Sequence, residues 1–192
     1  RQALRDPLTG LHNRRFLEEA LTRETARSTR SGKPLALAIL DLDNFKHIND
    51  TRSHEAGDAV LRGMAEILRR TLRKGDIAGR FGGEEFLVLL PEADPEAALT
   101  CMAALLQAVR EMRVPWSGGM LEGITASIGL AVLPVHVDRG EELIAAADAA
   151  LYQAKGQGRD RIVVSDRSAA PLLAPIEAGR NAGDPQRSAA AS

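Results

Sequence analysis

Two pairs of acids stand out as residues that could do chemistry. Asp41 and Asp43 close the apolar run that begins at Leu35, and Glu84 and Glu85 follow the doublet Gly82-Gly83. Carboxylates gathered in one place repel unless a cation sits between them. Mg²⁺ or Mn²⁺ is the usual answer, and Mg²⁺ is commonly held by one or two carboxylates together with phosphate oxygens and water. Such ions stabilise the attacking and leaving oxygens of phosphoryl transfer. Taken singly, each acid reads equally as a solvated loop residue, so the chemistry depends on their being brought together. Phe45 and Lys46 open a short helix just after the first pair. Backbone N–H groups at a helix start can hold phosphate, and Lys46 adds a point charge, although a lysine there also serves as plain surface. Gly82 and Gly83 permit a tight turn with positive φ and leave no side chain to block a ligand lying over it; a Gly-Gly doublet is otherwise simply a turn.

The elements that must position these residues follow from periodicity. Residues 13–30 read as a helix, with Phe16, Leu17, Ala20 and Leu21 on one face, ended by Ser31-Gly32-Lys33-Pro34. Residues 35–40 form an apolar run of strand length, the pattern of a strand buried on both faces. Helices are expected over 45–50 and 56–73, the second with Val60, Leu61, Met64, Ala65, Leu68 and Leu72 at helical spacing. A strand running to Phe81, the Gly82-Gly83 hairpin and a strand over 85–90 come next. Pro95 starts a periodic helix whose core face includes Cys101. A hairpin near Gly118-Gly119, a strand over 124–133, a helix over 141–155 and a last strand near 161–164 complete the pattern.

This order predicts an α+β fold: a ferredoxin-like, polymerase-palm-like and mostly antiparallel sheet flanked by helices, with a βαββαβ core and extra elements. A right-handed crossover makes the first two core strands run the same way. The end of the first strand and the hairpin after the second then meet at one sheet edge. Topology alone is therefore expected to gather Asp41, Asp43, Glu84 and Glu85. Residues 1–164 read as one domain. Residues 165–192, rich in Ala, Pro, Gly and Ser without periodicity, read as a disordered tail.

Composition narrows the function. The 192 residues carry a net charge of -1, with acids and bases interspersed, which excludes the basic surplus of a DNA clamp. The single cysteine permits no internal disulfide and fits a reducing, cytoplasmic setting. No apolar run has the length of a membrane span, and no signal peptide is visible. The chain opens on Arg1 rather than Met. We therefore expect a piece of a longer protein, whose upstream sensor or membrane segment would be the only route to a membrane.

Gly82-Gly83-Glu84-Glu85-Phe86 resembles the signature of the GGDEF domain in its Glu form. The resemblance extends to Asp6-Pro7-Leu8-Thr9-Gly10-Leu11-His12-Asn13-Arg14-Arg15, to Asp41 through Asp50, to Gly57-Asp58 and to Tyr152 through Arg159. These five blocks stand in the family's order and span residues 6 to about 164. The resemblance implies a diguanylate cyclase that condenses two GTP molecules into cyclic di-GMP. It implies that Asp41, the Leu42 carbonyl and Glu84 hold metal, and that Glu85 supports catalysis beside them. Phe45, Lys46, Lys155 and Arg159 would serve the triphosphate, with Gly82 and Gly83 beneath it. Asn49 and Asp58 would read guanine, whose adjacent N–H donors suit a carboxylate; Asp58 otherwise reads as a dipole-stabilising acid near a helix start. Asp43 would either bind a second metal or orient the site. The two-fold product implies that two copies face each other, so a homodimer is the expected active species.

Arg73-Lys74-Gly75-Asp76 resembles the family's inhibitory site for cyclic di-GMP, with Arg73 and Asp76 as its contacts. The plain reading is an arginine at a helix end followed by a turn acid. The second arginine that the family often supplies falls, by an ungapped count, near Ala104 and is missing. Arg52-Ser53 also stand where the family commonly has a glycine before its histidine, which affects the loop beside Asp58. The alternatives to an active cyclase are a cyclic di-GMP receptor without turnover, against which the intact Gly82–Phe86 block argues, a GTP-binding regulatory module, and a related cyclase of other nucleotide preference, against which Asn49 and Asp58 argue. His12, His47, His54 and His136 lack metal-ligand spacing, and Trp116 reads as packing.

Overall fold

The computed structural model describes residues 4–167. The bulk of the expected tail, residues 168–192, lies outside the described residues. Helix α1 (Arg14–Ser31) starts where the Asn13 carboxamide accepts from the Phe16 amide and stops at Gly32, whose φ of 69° suits glycine. Strand β1 (Leu35–Leu42) leads into the short helix α2 (Phe45–Thr51) and then α3 (His54–Thr71). Ser53 caps α3 by accepting from the Ala56 amide. The helix thus starts before the expected residue 56 and ends before Arg73, which lies beyond it. Strands β2 (Ile77–Arg80) and β3 (Glu85–Pro91) precede α4 (Pro95–Arg110), which Asp94 caps with Pro95 in its first turn.

A separate two-stranded ribbon, β4 (Val114–Trp116) and β5 (Gly119–Leu121), turns at Gly118 as expected. Trp116 packs against the core beside it. Strand β6 (Ala126–Leu133) leads through a 3₁₀ turn at Gly140–Glu142 into α5 (Leu143–Gly156) and β7 (Ile162–Val164). Ser165 still donates to the Leu130 carbonyl, and Arg167 pairs with Asp138. No helix among the described residues is long and apolar enough to cross a membrane.

The main sheet has the order β2-β3-β1-β6-β7, and its only parallel pair is β6-β7. Helices cover both of its faces. Ala36, Ala38, Leu40 and Leu42 of β1 pack in one cluster with residues of α3 and α4. Leu35, Leu37 and Ile39 pack on the opposite face with residues of α1 and α5. This double burial is the physical reason that β1 and β6 are largely apolar rather than alternating. Burying each large side chain such as Leu37 or Phe86 contributes about 1.5–3 kcal/mol relative to leaving it in water. Cys101 is half-buried at the margin of the first cluster rather than within it, because it faces a pocket beside Arg73.

Candidate functional site: an acidic sheet edge

Strand periodicity decides which side of the sheet each acid occupies. Asp41 continues the face of Leu35, Leu37 and Ile39, the face covered by α5. The β1–β3 register sets Asp41 opposite Glu85, and the β1–β6 register sets it opposite Ser127. The Leu42 amide donates to the Glu84 carbonyl, so the hairpin loop is stitched to the end of β1. The three acids Asp41, Glu84 and Glu85 therefore share one edge, as the topology predicted.

Their environments differ. Asp41 is only 5% exposed, and the Lys155 ammonium from the last turn of α5 lies 2.8 Å from its Oδ2. Burial pushes the Asp41 carboxyl above the usual range, against the opposing pull of Lys155. Glu84 is raised as well, first by burial, then by the neighbouring charges of Asp41 and Glu85, with Lys155 acting against them. Glu85 turns back along the hairpin: a Cβ at Gly82 would come 2.4 Å from its Oε2.

Asp43 is tied down by hydrogen bonds. Its oxygens accept from the Ser127 hydroxyl at 2.7 Å, the Thr125 hydroxyl at 2.8 Å and the Asp160 amide at 3.0 Å. It ties β1, β6 and the loop before β7 together. Among the described residues no group of three or more acidic, histidine or cysteine side chains is poised to hold a metal ion. The residues that could hold one are the pair Asp41 and Glu84, with the Leu42 carbonyl. Two carboxylates fit Mg²⁺, which keeps waters and relies on substrate phosphates for the rest of its shell.

The other expected contacts surround this edge. Lys46 is exposed at the start of α2, where Asn44 supplies no side-chain cap. Phe45 is 7% exposed and belongs to the core, so only its backbone is available to a ligand. Asn49 lies against Gly57, where a Cβ would fall 2.0 Å from its Oδ1. Asn49 and the next residue, Asp58, are thus brought to one place, both half-buried. Arg159 is exposed, with φ of 62°, in the loop that Asp160 ties to Asp43, and its charge is felt at Asp41.

The hairpin does not use the left-handed backbone that glycine permits: neither Gly82 nor Gly83 has a positive φ. The loop spans residues 81–84, and the Glu85 carbonyl accepts from both the Phe81 and Gly82 amides. Lack of a side chain, rather than a left-handed backbone, is what the glycines supply: Gly82 makes room for Glu85, and Gly83 faces open space.

Several positioning residues carried no functional reading in the sequence. Arg80 donates to the Gly83 carbonyl from Nε and Nη2, at 3.1 and 2.6 Å, and pairs through Nη1 with Asp6 at 3.4 Å. Asp6 in turn accepts from the Thr9 amide and hydroxyl. Burial raises the Asp6 carboxyl, but the Thr9 bonds and Arg80 together bring it below its ordinary value. The opening block thus braces the hairpin. Ser127 had one available signal, a lone hydroxyl in an otherwise apolar strand.

Arg73 and Asp76 also come together, but with each other. Arg73 donates from Nε to Asp76 Oδ1 at 2.9 Å and from Nη2 to the Pro91 carbonyl at 2.6 Å. Both line a pocket of about 200 Å³ with Ala97 and Cys101 of α4.

A βαββαβ sheet carrying a Gly-Gly-Glu-Glu hairpin opposite an Asp-bearing strand defines a nucleotide-cyclase type of domain. The sequence matches the family described as "Diguanylate cyclase, GGDEF domain" over residues 3–161, and the chain belongs to that family. It is 46% identical over 164 residues to diguanylate cyclase DgcP of Pseudomonas aeruginosa, covering 85% of this chain and 24% of that protein. It is 40% identical over 157 residues to diguanylate cyclase DosC of Escherichia coli K12, covering 82% of this chain and 34% of that protein. The chain thus spans about a quarter to a third of the length of these relatives. Its fold superposes on the GGDEF domain of DgcB from Caulobacter crescentus, solved in complex with c-di-GMP, with a TM-score of 0.80 and 34% identity, covering 85% of this chain and 96% of that one.

Proposed function

We propose that this chain is the catalytic module of a diguanylate cyclase, joining two GTP molecules into cyclic di-GMP with release of two pyrophosphates. The observation that carries the reading is the meeting of Asp41, Glu84 and Glu85 at one sheet edge under the Lys155 ammonium. A divalent ion held by Asp41, Glu84 and the Leu42 carbonyl would offset the triphosphate charge and polarise the α-phosphate. The chain's own residues do the rest. Lys46, Lys155 and Arg159 hold the phosphates. Asn49 and Asp58 accept and donate along the guanine edge. Gly82 and Gly83 leave the nucleotide room above the hairpin. Glu85 assists loss of the 3′-hydroxyl proton. The 3′-oxygen of one nucleotide forms its bond to the α-phosphorus of the other as the bond to pyrophosphate breaks. One GTP per domain requires two domains facing each other about a two-fold axis.

Product inhibition is assigned to the pocket of Arg73 and Asp76. A guanine there would replace the Arg73 bonds to Asp76 and to the Pro91 carbonyl. The α4 wall offers Ala97 and Cys101, with Ala104 one turn on, so a single arginine serves the site. Weak inhibition follows, relieved further by Arg73→Ala.

The test is incubation of the purified chain with GTP and Mg²⁺, with the products separated chromatographically. Wild type yields cyclic di-GMP and Glu84→Ala yields none. Absence of product even with a dimerising coiled coil fused before Arg1, while GTP still binds, would replace this reading with a receptor or regulatory module.

A further inference from the structure

We infer that Lys155 is a built-in stand-in for the divalent ion: without nucleotide its ammonium holds the Asp41 carboxylate, and lysine and metal compete for that oxygen until a triphosphate draws the lysine away. The inference rests on the reading of Asp41 and Glu84 as the metal pair.

Asp41 is almost completely buried, and a bare carboxylate there would carry a large desolvation cost. Its side chain has one hydrogen-bonding partner among the described residues, the Lys155 ammonium at 2.8 Å. Asp43, two residues on, solves the same problem differently, with three neutral donors fixed in β6, in the residue just before it and in the loop before β7. Those donors come from the backbone and from short side chains and cannot leave without unpicking the sheet edge. Lys155 can leave. Its side chain is 35% exposed and ends a flexible four-carbon stem on the last turn of α5.

A divalent ion on Asp41 would sit about 2.0–2.1 Å from its oxygen. An ammonium on the same carboxylate then faces a double positive charge a few ångströms away, with little water between them to screen it. Each cation then weakens the other's hold on the carboxylate. A triphosphate resolves the conflict because it supplies new acceptors for the lysine as it supplies the rest of the metal's shell. The expected consequence is ordered occupancy, with the ion entering together with the nucleotide and binding poorly before it.

The test is Mn²⁺ binding to the nucleotide-free chain, read as loss of the free-ion electron paramagnetic resonance signal at pH 8. Lys155→Met should tighten Mn²⁺ roughly tenfold, since one adjacent positive charge is removed. Lys155→Arg, which keeps the charge, should stay close to wild type. If the Met variant does not fold by circular dichroism, Lys155→Gln replaces it. Unchanged Mn²⁺ affinity in the folded neutral variants overturns the inference. Glu84→Gln in the Lys155→Met background separates the two readings. Loss of Mn²⁺ binding there upholds the metal pair whatever Lys155 does, whereas retained binding refutes the pair itself.

Discussion

Glu84 sits among like charges, raised by burial and by Asp41 and Glu85, with only Lys155 opposing them. A carboxyl whose folded-state value lies above its unfolded one takes up a proton on folding. Its ionised form therefore costs stability at pH above the folded value, and the cost vanishes as pH falls through that value to the unfolded one. Glu84→Gln should thus stabilise the metal-free chain at neutral pH by roughly 0.5–1 kcal/mol, the scale of a partly solvated charge contact. The gain should fade in acid. Urea unfolding in the presence of chelator at several pH values checks this, and a gain that grows on acidification would contradict it. The same variant should abolish cyclisation, so the site trades stability for function at this one carboxylate. At this scale the sequence was legible for the acids, which residue type and strand order bring to one edge, whereas Lys155 and Arg159 were named only through the family resemblance. It was not legible where a role depends on a distant partner. Arg80 and Asp6 are 74 positions apart, and nothing local to either announces their pairing across the hairpin. The glycines are a related case: a doublet permits a turn with positive φ, yet here neither adopts one, and the Glu85 side chain lies in the space beside Gly82.

Among the elements, α5 carries the most consequence because it delivers Lys155 to Asp41. Its distance from the sheet is set by Gly129 of β6, where a Cβ would come 2.0 Å from the Ala147 carbonyl oxygen and 2.4 Å from the Leu151 amide. The helix backbone therefore rests directly on the strand. Gly129→Ala must push α5 outward, at a cost of about 2–3 kcal/mol typical of overpacking. Product formation should fall further than stability explains when assayed well below melting, because Lys155 moves with the helix. Gly75→Ala, at an exposed position with open space around it, should leave the melting temperature unchanged and serves as the control. Equal melting temperatures for Gly129→Ala and wild type would show that α5 does not bear on the strand in this way. The elements themselves were readable because both sheet faces are covered, which makes β1 and β6 largely apolar rather than alternating, with turn residues at their ends. The helix ends were less so. Ser53 starts α3 through a cap bond that lies outside the apolar periodicity, so hydrophobic spacing alone places the start too late. The burial of Cys101 was overread for the same reason: helical spacing assigns a face, but not the pocket that opens beside it.

For the whole molecule, the proposed reaction requires two active edges to meet, since on that reading each holds one nucleotide. Specific activity of the isolated chain should fall as it is diluted through the dimer dissociation range, and a coiled coil fused before Arg1 should remove that dependence. Activity strictly proportional to concentration across the range, in a chain shown to be monomeric by sedimentation, would refute the requirement. Asp43 has a further bearing on the molecule as a unit. Its bonds reach Ser127, 84 positions on, and Asp160, 117 positions on. The acidic edge is therefore not the property of any continuous stretch of chain, and no excised hairpin or helix could carry a weakened version of it. Shortening the domain from the carboxyl side as far as Asp160 would leave most of the sheet in place and still take away one of the fastenings of its working edge, so the boundary of the fold and the boundary of its competence fall at different residues.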